Sequence, residues 1–257
     1  MKAVWKGSIS FGLVNVPVKM YTATSTRELS FNMLHSKDKG RIHYRKFCSK
    51  CGQEVSKDEI VKGYPISKNE YVVLTDEDFA KVPIKSLKTI EIKQFFDPGE
   101  LNVIYYNNFY YLAPEKGGEK PYYILKEAMM STNSMGIGKL SFRNREHLIG
   151  LKSLDGGLLL AQLYYIDEVR SPEEVPGWNP SVDVSEEEMD LAVQLINHMK
   201  KPLKLEDYKD EYKEALMELI EAKLSGKEVT VSGEVSEAES LVDALRSSLE
   251  KAEESES

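Results

Sequence analysis

Cysteine is nearly missing. Of 257 residues only Cys48 and Cys51 are cysteines. With only two residues between them, they make a poor staple, so a secreted disulfide scaffold is excluded and a reducing cytoplasm is the expected setting. No apolar run approaches the ~18 residues of a membrane span, so no membrane partner is expected. The opening, Met1 to Gly7, is broken by charge and glycine before an apolar region forms, and does not read as a signal peptide. Enzyme signatures are missing too. There is no phosphate-cradling Gly-Lys-Ser/Thr loop, no Gly-x-Ser-x-Gly elbow and no His-Glu-x-x-His. Gly136-Ile-Gly138 lacks the third glycine and the strand–helix setting of a dinucleotide loop. No internal repeat is evident. The expectation is therefore a protein with no catalytic residue, no cofactor and no assigned metal ligand.

What is present is a soluble, globular composition: 41% apolar and 30% charged residues, in a length that suits one large domain or two ordinary ones. The net charge of −8 averages two unlike parts. Residues 1–172 carry 25 Lys+Arg against 19 Asp+Glu, a balance of +6, and residues 173–257 carry 9 against 23, a balance of −14. The acidic overall charge would argue against nucleic acid, but the basic body has to be read separately.

Residues 1–172 read as mostly β. The stretch 102–113 has two aromatic-rich runs around Asn107-Asn108 and predicts a hairpin. Stretches 71–75 and 89–96 are β-branched and aromatic. Stretch 158–166 is an apolar run of strand length after the Asp155-Gly156-Gly157 turn. One helix is expected at about 120–131, with Pro121 near its start. Many strands at short spacing around one helix predict a barrel-like core. Pro172, Pro176, Gly177 and Pro180 mark a domain boundary. Beyond it the period becomes helical. Ser185 to Glu188 is a capping box before Met189, Ala192, Val193, Ile196 and Met199. A second helix is expected over 207–225, stopped by Gly226. A third is expected at about 237–250, and the acidic end at 252–257 should fray.

The most unusual stretch is 35–50. It holds Lys37, Lys39, Arg41, Arg45, Lys46 and Lys50 against Asp38 alone, a balance of +5, with His35, His43, Tyr44 and Phe47 interleaved. Such a run suits duplex phosphates, and equally a solvated lysine-rich loop. The wider segment, 26–62, is too long for an ordinary connection. Folded as two arms, each could reach on the order of 50 Å at the strand rise of ~3.3 Å per residue, enough to lie across a DNA helix. Arg143 and Arg145 form a second basic point, or an ordinary hairpin turn. Cys48-x-x-Cys51-Gly52 is half of a zinc ribbon. A knuckle shared across a dimer and a metal-free turn both remain open, since zinc wants four ligands and no second cysteine pair exists. A redox motif would want a βαβ setting that is not visible. Asp76, Glu77 and Asp78 could pass for a metal-binding cluster, but after Thr75 and before Phe79 they read better as a helix cap. On the 207–225 helix, Tyr208, Tyr212, Leu216, Leu219 and Ile220 form a stripe that fits core packing or a recruited partner alike.

Several stretches together are identifiable. The run from Trp5 to Tyr21 (WKGSISFGLVNVPVKMY) resembles the opening of the prokaryotic Ku family, the DNA-end-binding proteins of non-homologous end joining. The likeness continues through Phe31-x-x-Leu34-His35, Cys48-x-x-Cys51-Gly52-x-Glu54-Val55 and Ile60 to Tyr64. It runs on through Tyr71 to Asp78, Ile90-Glu-Ile92, Tyr110 to Pro114, Gly136 to Lys139, Asp167 to Arg170 and Asp210 to Lys223, covering about 1–228 in order. The resemblance implies a mainly β fold with some α. The expected order is a Ku-type β-barrel core (1–172) with a DNA-bridging arm at about 26–62, then a small helical C-terminal segment (173–228). It implies a homodimer whose cores and arms make a ring around double-stranded DNA ends. Contacts would be to backbone rather than base edges, hence independent of sequence and strongly salt-dependent. It implies that the helical segment recruits a multifunctional ATP-dependent DNA ligase, carried here onto Tyr208, Tyr212, Leu216 and Leu219. One departure stands out: many family members end in a lysine-rich tail, whereas 228–257 has nine acids against Arg246 and Lys251, a balance of −7. Competing readings are a zinc-knuckle interaction scaffold and a carboxylate-metal nuclease using Asp76, Glu77 and Asp78.

Overall fold

Alternation along the first two strands sets the wall of a barrel. In β1 (Trp5–Phe11) and β2 (Val14–Thr22), Ile9, Val16, Val18 and Met20 are buried, while Lys6, Asn15 and Lys19 between them turn away from the core. Gly12, at φ +58°, makes the two-residue turn that joins them. The computed structural model describes residues 1–82, 88–142 and 145–226. Arg143, the helix expected at 237–250 and the acidic end lie outside the described residues.

The chain continues with β3 (Lys62–Ser67), β4 (Glu70–Leu74), α1 (Asp76–Lys81), β5 (Thr89–Phe96), β6 (Tyr106–Pro114), α2 (Glu119–Ser131), β7 (Met135–Phe142), β8 (Arg145–Leu154) and β9 (Gly157–Leu163). Seven of these strands close a barrel in the order β1-β2-β6-β9-β8-β7-β5. The seam is the parallel β5–β1 pair, with Ile90 opposite Ile9, and every other pairing is antiparallel. The expected barrel core is thus present. Closure leaves none of the seven with a free edge.

Ile9, Val16, Val18, Met20, Ile90, Ile149, Leu151 and Leu160 fill the main cluster. The helix α2 lays Tyr122, Leu125 and Met129 onto it, one face at three- and four-residue steps. The Tyr122 hydroxyl donates to Leu112 O at 2.6 Å and accepts from Leu158 N–H at 2.8 Å, tying α2 to the β6–β9 ladder. A second cluster packs Met135, Ala161 and Leu163 beneath Phe96, Leu101, Tyr106 and Phe109. Gly138 is required by close approach: a Cβ there would sit 2.1 Å from Glu91 O on β5. Its glycine serves strand packing, not a phosphate.

Three expectations are corrected. Residues 102–113 are not a hairpin. Asn102 caps a 3₁₀ turn (Val103–Tyr105), and one strand, β6, runs through Asn107-Asn108. Its register against β9 slips by one residue between Tyr106 and Phe109, so the two asparagines form a bulge. A hairpin was impossible because β2 and β9 occupy both sides of β6. The run expected at 158–166 ends as strand at Leu163, and Ile166–Glu168 form a 3₁₀ turn. In the C-terminal segment, α3 (Glu186–Met199) starts at its capping box, with Ser185 Oγ donating to the Glu188 carboxylate at 2.7 Å. But α4 (Glu211–Leu224) begins later than expected, because the Asp210 side chain accepts from Lys213 N–H at 3.0 Å and sets the start there. Tyr208 therefore precedes the helix. Gly226, at φ +72°, follows the end of α4. By its contacts the chain divides into two compact units between Ser171 and Pro172. No helix among the described residues is long and apolar enough to cross a membrane.

Candidate nucleic-acid interface

The arm leaves the barrel at the end of β2, where Ala23 N–H still bonds Phe109 O at 3.0 Å. It does not run out and back as two long limbs. It folds back twice, into consecutive short loops. In the first, Ile42 N–H donates to Met33 O (3.0 Å), His35 N–H to Gly40 O (2.8 Å) and Lys39 N–H to His35 O (2.9 Å). In the second, Val55 N–H donates to Lys46 O (2.8 Å), Cys48 N–H to Gln53 O (2.9 Å) and Gly52 N–H to Cys48 O (2.8 Å). Each bond of the second loop is the corresponding bond of the first moved on by thirteen residues (33 to 46, 35 to 48, 42 to 55). The isolated bridges agree, Leu34–Arg41 against Phe47–Glu54. So do the turn residues at positive φ, Lys39 (61°) against Gly52 (70°). A tandem structural repeat is therefore present that the sequence did not disclose. Only Ser36-Lys37 and Ser49-Lys50 are identical between the two copies.

That repeat sorts the candidate cations. Lys37 and Lys50 occupy the same position, at the two loop tips, and neither pairs with a carboxylate among the described residues. Arg41 bonds Asn32 Oδ1, and at the equivalent place in the second loop Arg45 pairs with Glu54 at 3.0 Å. Lys39 donates to Ser36 O at 2.8 Å, and Lys46 lies at the base of the second loop. All six are exposed. Arg145 is also exposed, but it opens β8 on the barrel, away from the arm in sequence and in element.

The arm has almost no core of its own. Between 22 and 75 no residue is buried, and Phe31 (67% exposed), Tyr44 (80%), Phe47, Tyr64 and Ile66 all face solvent. The β3–β4 hairpin that follows is a separate two-stranded sheet, turned at Asn69 (φ +76°), and leaves both its edges unpaired. Next comes α1, whose first carboxylates are committed to structure. Asp78 accepts from Thr75 N–H (3.0 Å) and Oγ1–H (2.8 Å), and Lys81 sits 3.3 Å away. The Thr75 backbone amide, then its hydroxyl and Lys81, hold the Asp78 carboxyl below the usual range. Asp76 lies 3.9 Å from Lys62, whose ammonium also stands 4.3 Å over the Phe79 ring. The cap reading of this stretch is what the structure shows, and among the described residues no three His, Cys, Asp or Glu side chains converge as a metal site.

Sequence reading passed over one basic feature. On the outer wall of the barrel, Lys6 of β1 stands directly opposite Lys19 of β2. Like charges in cross-strand register repel, so such a pair is tolerated best where an anion or an acid stands by. Glu115 reaches Lys19 at 3.6 Å and partly answers it. Only the strand register reveals the pair, since thirteen residues separate the two lysines. In the C-terminal unit, Tyr212 is exposed on α4 while Leu216 and Leu219 are half-buried, and Tyr208 is exposed before the helix.

A family model described as the Ku70/Ku80 beta-barrel domain matches residues 10–191. A protein of Archaeoglobus fulgidus named non-homologous end joining protein Ku is 66% identical over 250 residues, covering 97% of this chain and 99% of that protein. Proteins of the same name from Bacillus subtilis and Desulfitobacterium hafniense are 38% and 40% identical. The matches cover 98% and 97% of this chain, and 82% and 87% of those proteins. Likeness at this level over nearly the whole length, on a closed seven-stranded barrel with a basic arm, means that this chain belongs to the Ku family.

Proposed function

We propose that the protein binds ends of double-stranded DNA as a ring-shaped homodimer, without catalysis, in double-strand break repair by non-homologous end joining. The observation that carries this is the arm. It projects cations at two equivalent tips and leaves its aromatic and aliphatic side chains in water. A lone subunit gains nothing from such apolar exposure, whereas a second copy covers it. Two basic arms joined in this way enclose a hole lined for phosphate rather than for base edges. A closed ring admits a duplex only where the duplex stops, so preference for ends follows from topology. The relatives' shared name, non-homologous end joining protein Ku, supports the same reading. The C-terminal helices α3 and α4 offer exposed Met189, Ile196 and Tyr212, and the turn before α4 offers Tyr208, to a partner, which we take to be a multifunctional ATP-dependent DNA ligase. The site of action is the cytoplasmic nucleoid.

The test is a gel shift with purified protein on a linear duplex and on a covalently closed minicircle of the same sequence. Stable complexes on the linear form, with little binding to the circle, are expected. Equal binding to both refutes the ring. Metal-dependent cleavage of the linear duplex, abolished in an Asp76→Ala/Asp78→Ala variant, would make the protein a nuclease instead.

A further inference from the structure

The two loops of the arm are closed differently at the same place. In the first loop, the side chains three residues apart, His35 and Asp38, meet as a pair at 3.0 Å between Nδ1 and Oδ1. In the second loop the positions thirteen residues on, 48 and 51, carry thiols. The backbone is the same in both: the same hydrogen bonds, the same bridge and a positive φ one residue later. The geometry that brings His35 onto Asp38 therefore brings Cys48 onto Cys51. Both are free thiols, Cys48 half-buried and Cys51 exposed.

We propose that Cys48 and Cys51 are a redox-modification site, at which a hydroperoxide converts the dithiol to an intraloop disulfide that closes the second loop as the His35–Asp38 pair closes the first. The Cys51 backbone amide, then the Lys50 backbone amide, the Cys51 side chain and the Lys50 charge, hold the Cys48 thiol below its ordinary range. Cys48 is thus the nucleophile. Its thiolate attacks one peroxide oxygen, the O–O bond breaks, and the departing oxygen leaves as water or an alcohol once protonated. Cys48 is left as a sulfenic acid. The Cys51 sulfur then attacks the Cys48 sulfur, the S–O bond breaks, and hydroxide leaves with the Cys51 proton as water. Two electrons pass from the sulfur pair to the peroxide, so the step balances with the hydroperoxide as sole oxidant. Cys51 is exposed and Cys48 half-buried, so solvent reaches the resolving thiol. The inference stands apart from DNA binding, because it uses only the arm's own geometry. Lys50, at the loop tip, lies inside the ring the disulfide would form.

The test is made on the full chain. After hydrogen peroxide, alkylation and intact-mass measurement should show loss of both reactive thiols and a mass lower by about two hydrogens, as an intramolecular bond that dithiothreitol reverses. The Cys51→Ser variant should stop at a sulfenic acid trapped by dimedone on Cys48, and the Cys48→Ser variant should trap far less at equal exposure to peroxide. The inference is overturned if both thiols stay alkylatable, if the product is a disulfide between chains, if Cys51 is the residue trapped, or if a stoichiometric bound metal shields both sulfurs. Circular dichroism of the two serine variants distinguishes lost chemistry from a lost fold.

Discussion

If Lys37 and Lys50 are the phosphate contacts, replacing both with glutamine has a calculable effect. They occupy equivalent tips, they are exposed, and neither pairs with a carboxylate among the described residues. A homodimer presents four such lysines. Each neutralised phosphate adds ~0.9 to the slope of log affinity against log salt concentration for B-form DNA. The double variant should therefore show a slope shallower by about 3.6. Between about 50 and 200 mM salt, its affinity deficit should narrow by about two orders of magnitude. The matched control is the Arg45→Gln/Glu54→Gln variant. Arg45 already faces Glu54 at 3.0 Å, so removing both leaves the net charge alone and should leave the slope nearly unchanged. The assay is fluorescence anisotropy of a labelled linear duplex, titrated at several salt concentrations and repeated on a second, unrelated sequence. A slope equal to wild type for the lysine variant refutes the assignment. So does a control that flattens the slope as much, or a loss that depends on duplex sequence. A change of half the expected size would mean that one arm, not two, touches DNA.

Three other outcomes follow from the same structure. Tyr122→Phe removes a buried hydroxyl and leaves Leu112 O and Leu158 N–H without that partner, which should lower stability by about 2–4 kcal/mol; urea unfolding followed by circular dichroism reads it, and a change under about 0.5 kcal/mol refutes the bridge. The Asp78 and Glu188 carboxyls are held below their usual range, the first mainly by the Thr75 backbone amide and the second by the Ser185 hydroxyl. Because the folded-state values are depressed, the caps stabilise above the unfolded carboxyl values near pH 4 and fail as pH falls through the folded ones. Protection of the first-turn amides of α1 and α3, measured as exchange relative to an unstructured amide at the same pH, should thus be lost only in acid, and a loss between about pH 5 and 7 contradicts it. Deleting 229–257, which lies outside the described residues, removes eight acids against Arg246 and Lys251, a balance of −6, and should strengthen duplex binding at low salt, with the gain fading as salt screens it. Unchanged or weaker binding by the truncated protein would remove the tail from the account.

How much of this was legible beforehand differs by the kind of signal. Stretches 71–75 and 89–96 were legible from their β-branched and aromatic content, and β4 and β5 lie there, whereas β1 and β2 were passed over although Ile9, Val16, Val18 and Met20 carry their buried face. The stretch 102–113 misled because the turn-like Asn107-Asn108 pair also suits a bulge. What decides between the two is whether neighbouring strands occupy both sides, and that is tertiary information. The start of α4 misled for a local reason: Asp207 and Asp210 are both plausible caps, and only the Asp210 carboxylate accepts from an amide three residues on. The arm is the instructive case. Its charge was plain, but its repeat was not, because two loops with almost no buried side chain need to share only backbone hydrogen bonds. The residues at the matching positions, His35 and Asp38 in one loop and Cys48 and Cys51 in the other, have no composition in common. The arm therefore keeps its shape through backbone pairing and short polar links, and its exposed rings add nothing until a second surface covers them. A segment built this way should be the least protected part of the free subunit and become ordered on assembly. The phosphate contacts are then best sought at Lys37 and Lys50, where the backbone and not a core fixes the tip.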